Sequence, residues 1–323
     1  MEYRQLGGTG VKISAISLGT GGQWGGRVQI TEAKKIIAAA LDGGVNYIDT
    51  ANIYGSWWDG KPRSEEILGE ALEGLRDRIL LGTKGCQRLG DGENDFGASR
   101  YNLMRALEGS LRRLRTDHVD LYQIHLFDET TPMEETMRTL EDMVRSGKVR
   151  YIGASNYSAW QICRCNDIAE HYGWIRFATT QEHYNLLERN AERELIPCCR
   201  ELNVGLFPYF VLANGLLAGR YKQGAPPPAD SRAAEFERTR RYLDKYATPE
   251  NYAIIGKLTD FAQDLGHTLS ELAIAWVLSE PVVATVLAGA SSAEQMAANA
   301  GSASWKLSPE EADVVRTILE GNN

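Results

Sequence analysis

The chain has no run approaching the ~20 apolar residues that a bilayer-spanning helix needs. Its first residues, Met1-Glu2-Tyr3-Arg4-Gln5, lack the apolar core of a secretion signal. Both absences point to a cytoplasmic protein with no membrane partner. Cysteine is scarce: five in 323 residues, at positions 86, 163, 165, 198 and 199. No CxxC pair occurs. Cys163 and Cys165 diverge on a helical pattern, and vicinal Cys198 and Cys199 suit neither an ordinary disulfide nor a zinc site, so reduced thiols and no metal are expected. Basic charge is short as well, because 35 Lys and Arg stand against 43 Asp and Glu, a formal charge of -8. A sequence-independent nucleic-acid binder needs a basic face to displace counterions, so nucleic acid is excluded as a partner. A local basic pocket for a phosphorylated small molecule is still allowed. No GxGxxG follows a first strand, so a Rossmann half is not indicated.

What is present is an alternation of short apolar runs with helix-period stretches over nearly the whole length. Strand candidates fall at 13–19, 46–51, 79–84, 119–125, 149–155, 177–181, 204–209 and 284–289. They are short and read as buried on both faces, as parallel strands do. Helix candidates fall at 31–43, 64–74, 99–114, 133–146, 158–171 and 191–202. Thr31, Ser64 and Ser158 are plausible N-caps, and Gly43, Gly44, Gly74 and Gly147 plausible stops. Eight strands alternating with helices predict one (β/α)₈ TIM barrel over 1–323, a single α/β domain without a linker. Ahead of it, 3–6 and 11–13 around the turn 7–10 predict an N-terminal β-hairpin closing the barrel bottom. The stretch 248–279 adds one or two helices near the C-terminus. Two long loops, the Gly- and Asp-rich 85–97 and the proline-containing 223–230, fall at the carboxyl end of the barrel, where active sites are built.

Polar residues at strand C-termini therefore carry most weight. The second candidate strand ends Tyr47-Ile48-Asp49-Thr50-Ala51, with Tyr54 just beyond; the third ends Gly82-Thr83-Lys84; the fourth ends Gln123-Ile124-His125. Singly, each has an ordinary account: a cap, a packed aromatic, a structural ion pair, a satisfied core histidine. Together they suit carbonyl reduction. A carbonyl accepting hydride builds charge on oxygen and needs a proton there. A phenol of pKa ~10 holds its proton too tightly, but a nearby ammonium favours the phenolate and lowers it. A carboxylate keeps that ammonium charged and in place, and an imidazole orients the carbonyl.

With these motifs in hand, the sequence resembles the aldo-keto reductases over essentially the whole chain. The resemblance lies closer to bacterial reductases and potassium-channel β subunits than to mammalian aldose reductases, on the strength of Gly289-Ala290-Ser291. It implies Tyr54 as general acid, Lys84 and Asp49 as its tuning pair, His125 as carbonyl orienter, and NADPH bound before substrate. Ser155, Asn156 and Gln181 match the residues holding the nicotinamide amide, and Tyr209 matches the aromatic stacked on its ring. Thr20, Gly21 and Asp49 match further cofactor contacts. The segment 212–221, with Leu212 and Gly215, resembles the loop over the pyrophosphate. Gly289, Gln295 and Asn299 match the adenosine stretch, and Arg220 and Arg232 match basic positions that grip the 2′-phosphate, giving NADPH preference over NADH. One departure is plain: Phe210-Val211 stands where the family has Ser-Pro. Arg238, Arg240 and Arg241 could contribute to the 2′-phosphate grip, but read first as a solvated helix face.

The small-molecule carbonyl substrate is expected between Trp24, Trp57 and Phe127, with Trp58 a weaker candidate, and under the 85–97 loop, which is expected to order when cofactor binds. Two alternatives stand beside the reductase: a Schiff-base aldolase using Lys84, and a cofactor-sensing regulatory subunit like the channel β subunits. The natural substrate, the favoured direction and homo-oligomer formation are left open by the sequence.

Overall fold

In the computed structural model, residues 1–229 and 231–321 are described. Asp230, at the end of the 223–230 loop, residues 322–323 of the expected 1–323 domain, and the side chains of Trp58 and Asp59 lie outside the described residues.

The chain opens with an antiparallel hairpin of β1 (Tyr3–Gln5) and β2 (Lys12–Ser14), paired Tyr3 to Ser14. Eight parallel strands follow: β3 (Ile16–Gly19), β4 (Tyr47–Asp49), β5 (Leu80–Gly85), β6 (Val119–Ile124), β7 (Val149–Ser155), β8 (Thr179–His183), β9 (Gly205–Tyr209) and β10 (Val286–Gly289). Their order is β10-β3-β4-β5-β6-β7-β8-β9, with helices between them on the outside. The ends of this sheet meet through one parallel bridge, Leu206 to Val283, carried by Leu206 N to Val282 O at 2.9 Å and Ala284 N to Leu206 O at 3.0 Å. This is the expected (β/α)₈ barrel.

The hairpin seals the bottom. Leu6 and Ile13 join Tyr47, Leu121, Phe207 and Leu287 in an apolar plug inside the strands. The Arg4 guanidinium donates to the carbonyls of Val283 and Leu278, both at 2.8 Å, tying the hairpin to the last strand's approach. Gly7 sits at φ +54, and a Cβ there would overlap the Ala178 carbonyl. Only glycine fits that turn.

Sequence and structure differ in a few boundaries. The candidate strand 13–19 is two elements that meet at Ala15, whose N donates to Glu2 O of the hairpin at 2.9 Å while its carbonyl accepts from Val286 N of the barrel at 2.8 Å. The helix placed at 31–43 runs Ile30–Asp42 with Gln29, not Thr31, as N-cap, and ends at Gly43. Ser64 is not a cap either: Arg63 holds that position for Ser64–Ala71, and the Ser64 hydroxyl donates to Thr20 Oγ1 at 2.8 Å. The helix placed at 191–202 starts later, at Leu195, after a short 3₁₀ turn at Asn190–Glu192. Ser158 does cap its helix, Ala159–Tyr172, through a capping box with Gln161, and Gly173 at φ 65 ends it.

Candidate active site

Strands β4, β5 and β6 lie side by side, so their carboxyl ends deliver Asp49, Lys84 and His125 to one mouth. Tyr54 reaches the same point from the turn after β4. The Lys84 ammonium, fully buried, pairs with Asp49 Oδ2, donates to Thr50 O at 2.7 Å, and lies 3.4 Å from the Tyr54 hydroxyl. The Tyr54 ring meets the His125 imidazole edge-on at 5.6 Å between centroids. The four side chains named from the sequence thus share one site.

Burial sets the electrostatics of this group. It opposes the charge on Lys84, yet attraction to Asp49 and Tyr54 and their hydrogen bonds hold the lysine above its ordinary value. A charged Lys84 is the result. Burial also pushes the Tyr54 phenol up, and the pull of Lys84 reduces that rise without reversing it. This corrects the expected direction: the ammonium lowers the phenol only relative to an equally buried tyrosine without it. His125 is driven well below its usual range by burial, then by the charges of Lys84 and Arg238. Its imidazole is neutral near pH 7.

Two supporting residues were not singled out from the sequence. The Tyr47 hydroxyl donates to Asp49 Oδ1 at 3.1 Å, and Gln123 Nε2 donates to the same oxygen at 3.2 Å. Gly82 makes room for this, since a Cβ there would overlap the Tyr47 hydroxyl. The signal was present as Tyr47 and Gln123 two residues before Asp49 and His125, the spacing that keeps side chains on one face of a strand.

The candidate cofactor residues continue around the rim. Thr20 Oγ1 donates to Asp49 O at 3.1 Å, and Gly21 packs on the Tyr54 ring. Ser155 Oγ donates to Gln181 O at 3.0 Å, while Asn156, at φ 58, donates to His125 O at 2.9 Å and accepts from the Tyr209 hydroxyl at 2.8 Å. The Tyr209 ring stacks on His183, 5.5 Å between centroids and 13° from parallel. Gln181 Oε1, Asn214 Oδ1, Arg232 Nε and His125 Nδ1 are buried without a protein hydrogen-bond partner. Such orphans cost stability unless a ligand or water meets them. An amide donor for Gln181 and an anion for Arg232 fit a nicotinamide dinucleotide.

After β9 the backbone takes positive φ at Phe210, Ala213, Asn214 and Gly215. Phe210 is held there by its carbonyl, which accepts from Ala213 N at 2.7 Å and Asn185 Nδ2 at 2.8 Å. Its ring packs on Tyr209, His183 and Tyr242. Leu212 O accepts from Gly215 N at 2.8 Å, and Arg220 folds back beside Gly215. At the far side Gln295 accepts from Ser291 N at 2.9 Å, and Asn299 donates to Gly289 O at 3.2 Å.

A sequence model described as Aldo/keto reductase family matches residues 15–320. The chain belongs to the aldo/keto reductase family. Its relatives include an uncharacterized oxidoreductase, YrpG, of Bacillus subtilis (strain 168), 38% identical over 92% of this chain and 89% of that protein. A probable voltage-gated potassium channel subunit beta of Oryza sativa subsp. japonica is 34% identical over 99% and 97%. Versiconal hemiacetal acetate reductase of Aspergillus parasiticus is 35% identical over 96% and 95%. The protein is an oxidoreductase, of a family that uses nicotinamide cofactors on small molecules. Among the described residues, no helix is long and apolar enough to cross a membrane.

Of the expected substrate walls in this aldo/keto reductase, one is corrected. Trp24 is fully buried in the core cluster and does not line the mouth. Trp57 stays at the mouth, its ring 5.7 Å from that of Tyr54 and its Nε1 donating to Gly22 O at 3.2 Å. Phe127 is half-buried at the rim against Tyr157 and exposed Trp160. The 85–97 loop is tied at its end, where Asp128 accepts from Ala98 N at 2.8 Å.

Proposed function

We propose that this enzyme reduces aldehydes or ketones reversibly, with hydride from NADPH, in one barrel domain. The observation that carries the reading is the buried Lys84 ammonium held between the Asp49 carboxylate and the Tyr54 hydroxyl. Tyr54 is the general acid. Burial keeps the proton on its phenol at rest, and Lys84 stabilises the phenolate left once that proton passes to the substrate oxygen. Asp49 keeps Lys84 charged and aimed. Neutral His125 donates a hydrogen bond to the carbonyl and sets its angle. The bound nicotinamide supplies the hydride.

Ser155, Asn156 and Gln181 would hold the nicotinamide amide, with Tyr209 against its ring. Thr20, Gly21 and Asp49 would flank it. Leu212 and Gly215 would lie against the pyrophosphate, in a loop whose small residues let a phosphate approach the backbone. Gly289, Gln295 and Asn299 would take the adenosine, and Arg220 and Arg232 the 2′-phosphate, a guanidinium matching phosphate geometry. Trp57 and Phe127 would wall the substrate. A Schiff-base role for Lys84 loses support, because a nucleophilic amine must be neutral and Asp49 keeps this one charged.

Tyr54→Phe tests the reading. Retained NADPH binding with kcat lower by about two orders of magnitude or more is expected for loss of a proton donor. Turnover near wild type removes Tyr54 from its role. Cofactor choice is read separately: comparable kcat/KM with NADPH and NADH would defeat the NADPH preference.

A further inference from the structure

The segment after the 223–230 loop crosses the mouth between two fixed points. On the β3 side, the short helix Arg232–Glu235 is tied by Glu235 to Arg27 at 3.0 Å, and the Arg232 guanidinium rests against Gly22. On the opposite side, Tyr242 in the helix Glu237–Tyr246 shares a hydrogen bond with His183 Nε2 at 3.1 Å and packs on Phe210. Arg238 lies between these anchors, one turn before Tyr242 and on the same helix face.

The three arginines of this helix differ in what they meet. Arg241 pairs with Glu237, and Arg240 donates to the carbonyls of Ala233 and Ala234. Arg238 is exposed and, among the described residues, has no carboxylate partner. One turn along the same helix, Tyr242 meets His183 and Phe210, which keeps the exposed Arg238 at the edge of the mouth, and its charge acts on Tyr54, His125, Tyr209 and Arg232. In a chain of net charge -8, an unpaired cation above the reacting groups is a local reversal of sign. It draws anions to that point.

We propose that Arg238 is a substrate anchor: the carbonyl compound this enzyme takes carries a carboxylate or phosphate, held by the Arg238 guanidinium while the carbonyl faces Tyr54 and His125. The inference rests on the carbonyl-reductase reading and names its substrate class. The planar guanidinium fork accepts either anion in two parallel hydrogen bonds. The charge of Arg238 acts on the proton donor and the carbonyl orienter and also on Tyr209 and Arg232, so the Kd of NADPH is read beside the substrate parameters to separate substrate from cofactor. The adenosine residues proposed above lie across the rim at Gln295 and Asn299.

The test compares matched aldehydes with NADPH: succinic semialdehyde against butanal, and glyceraldehyde 3-phosphate against glyceraldehyde. Wild type should favour the anionic member of each pair. Arg238→Gln should raise KM for the anionic member about tenfold or more, the usual scale for a charge-assisted hydrogen bond, with kcat little changed. The neutral members and the Kd of NADPH, read by fluorescence, should stay within about twofold. Arg238→Lys should recover part of the loss, keeping charge without the fork. An equal loss on the neutral members, or a matching rise in the Kd of NADPH, overturns the proposal. So does a wild type that reduces the neutral aldehydes with no anionic preference, a result that leaves carbonyl reduction standing. Failure to reduce any of the four aldehydes while NADPH still binds defeats the carbonyl reading and this inference with it.

Discussion

Tyr47 donates its hydroxyl to the Asp49 oxygen that Lys84 does not use, so one carboxylate is gripped from two sides inside the barrel. Tyr47→Phe keeps the ring, its edge-on contact with Phe207 and the barrel packing, and removes only this grip. The expected result is kcat lower by about tenfold, the scale of one hydrogen bond to a charged group, with the far-UV spectrum unchanged. Gly82→Ala should reproduce the loss, since its Cβ drives the Tyr47 hydroxyl out of place. Wild-type kcat in Tyr47→Phe would mean that Gln123 and Lys84 suffice to hold Asp49.

Glu182 gives the fold a pH dependence of its own. Burial pushes its carboxyl up to about 8, against hydrogen bonds from Tyr157 N and Thr180. The unfolded chain releases that proton near 4.5 and the folded protein only near 8. The group's stabilisation is therefore full below about pH 4.5 and is lost as pH rises through 8, at up to about 1.4 kcal/mol per pH unit. Glu182→Gln keeps the accepting oxygen and cannot ionise. Denaturant titrations at pH 5 and pH 9 should show the variant gaining on wild type at the higher pH. Parallel pH profiles would place the Glu182 carboxyl in water.

Cys163 and Cys198 were read from sequence as unrelated reduced thiols; the structure sets their sulfurs 3.3 Å apart between two outer helices. Diamide should take two electrons and two protons from this pair, leaving an intramolecular 163–198 crosslink and a mass lower by two hydrogens. Burial raises the Cys198 thiol to about 12, so little Cys198 thiolate exists at neutral pH and attack by this sulfur should be slow there. Its rate should climb with pH, and Cys198→Ser should abolish the crosslink. A crosslink mapped to other cysteines would show that these two do not meet.

Gly7→Ala measures what the hairpin contributes. The left-handed turn and the collision with Ala178 O should both act, lowering stability by about 1–3 kcal/mol. Far from the mouth, the change should leave kcat near wild type. An unshifted melting temperature would mean that the hairpin turn yields freely.

The barrel was legible because parallel strands are buried on both faces, which makes short, largely apolar runs stand out, 149–155 among them despite its exposed Arg150. Strand β7 keeps those bounds, Val149–Ser155. Boundaries failed where tertiary bonds override local preference. Ser64 has the chemistry of a cap but spends its hydroxyl on Thr20 and Thr50. The convergence of Asp49, Lys84 and His125 was readable because strand ends meet by topology, and Tyr54 follows from the turn just after β4. Trp24 was misread because its sequence position fits the mouth while its burial depends on how the loop after β3 folds. Arg238 was read on a solvated helix face and is indeed exposed; that its segment is anchored on opposite sides of the mouth is tertiary, and residue spacing does not state it. The direction of the Tyr54 shift needed burial, which a sequence does not state.

Among the described residues, the two hydrogen bonds around Leu206 join a pair of neighbouring staves, β9 and β10, that share no ladder. A cask stitched so lightly at one join parts there first when it swells. Asp49, Lys84 and His125 hang from staves on the opposite flank, whereas Tyr209 and Gly289 sit on either lip of the join. Breathing of this kind would loosen the grip on a dinucleotide while the proton-delivering quartet kept its shape.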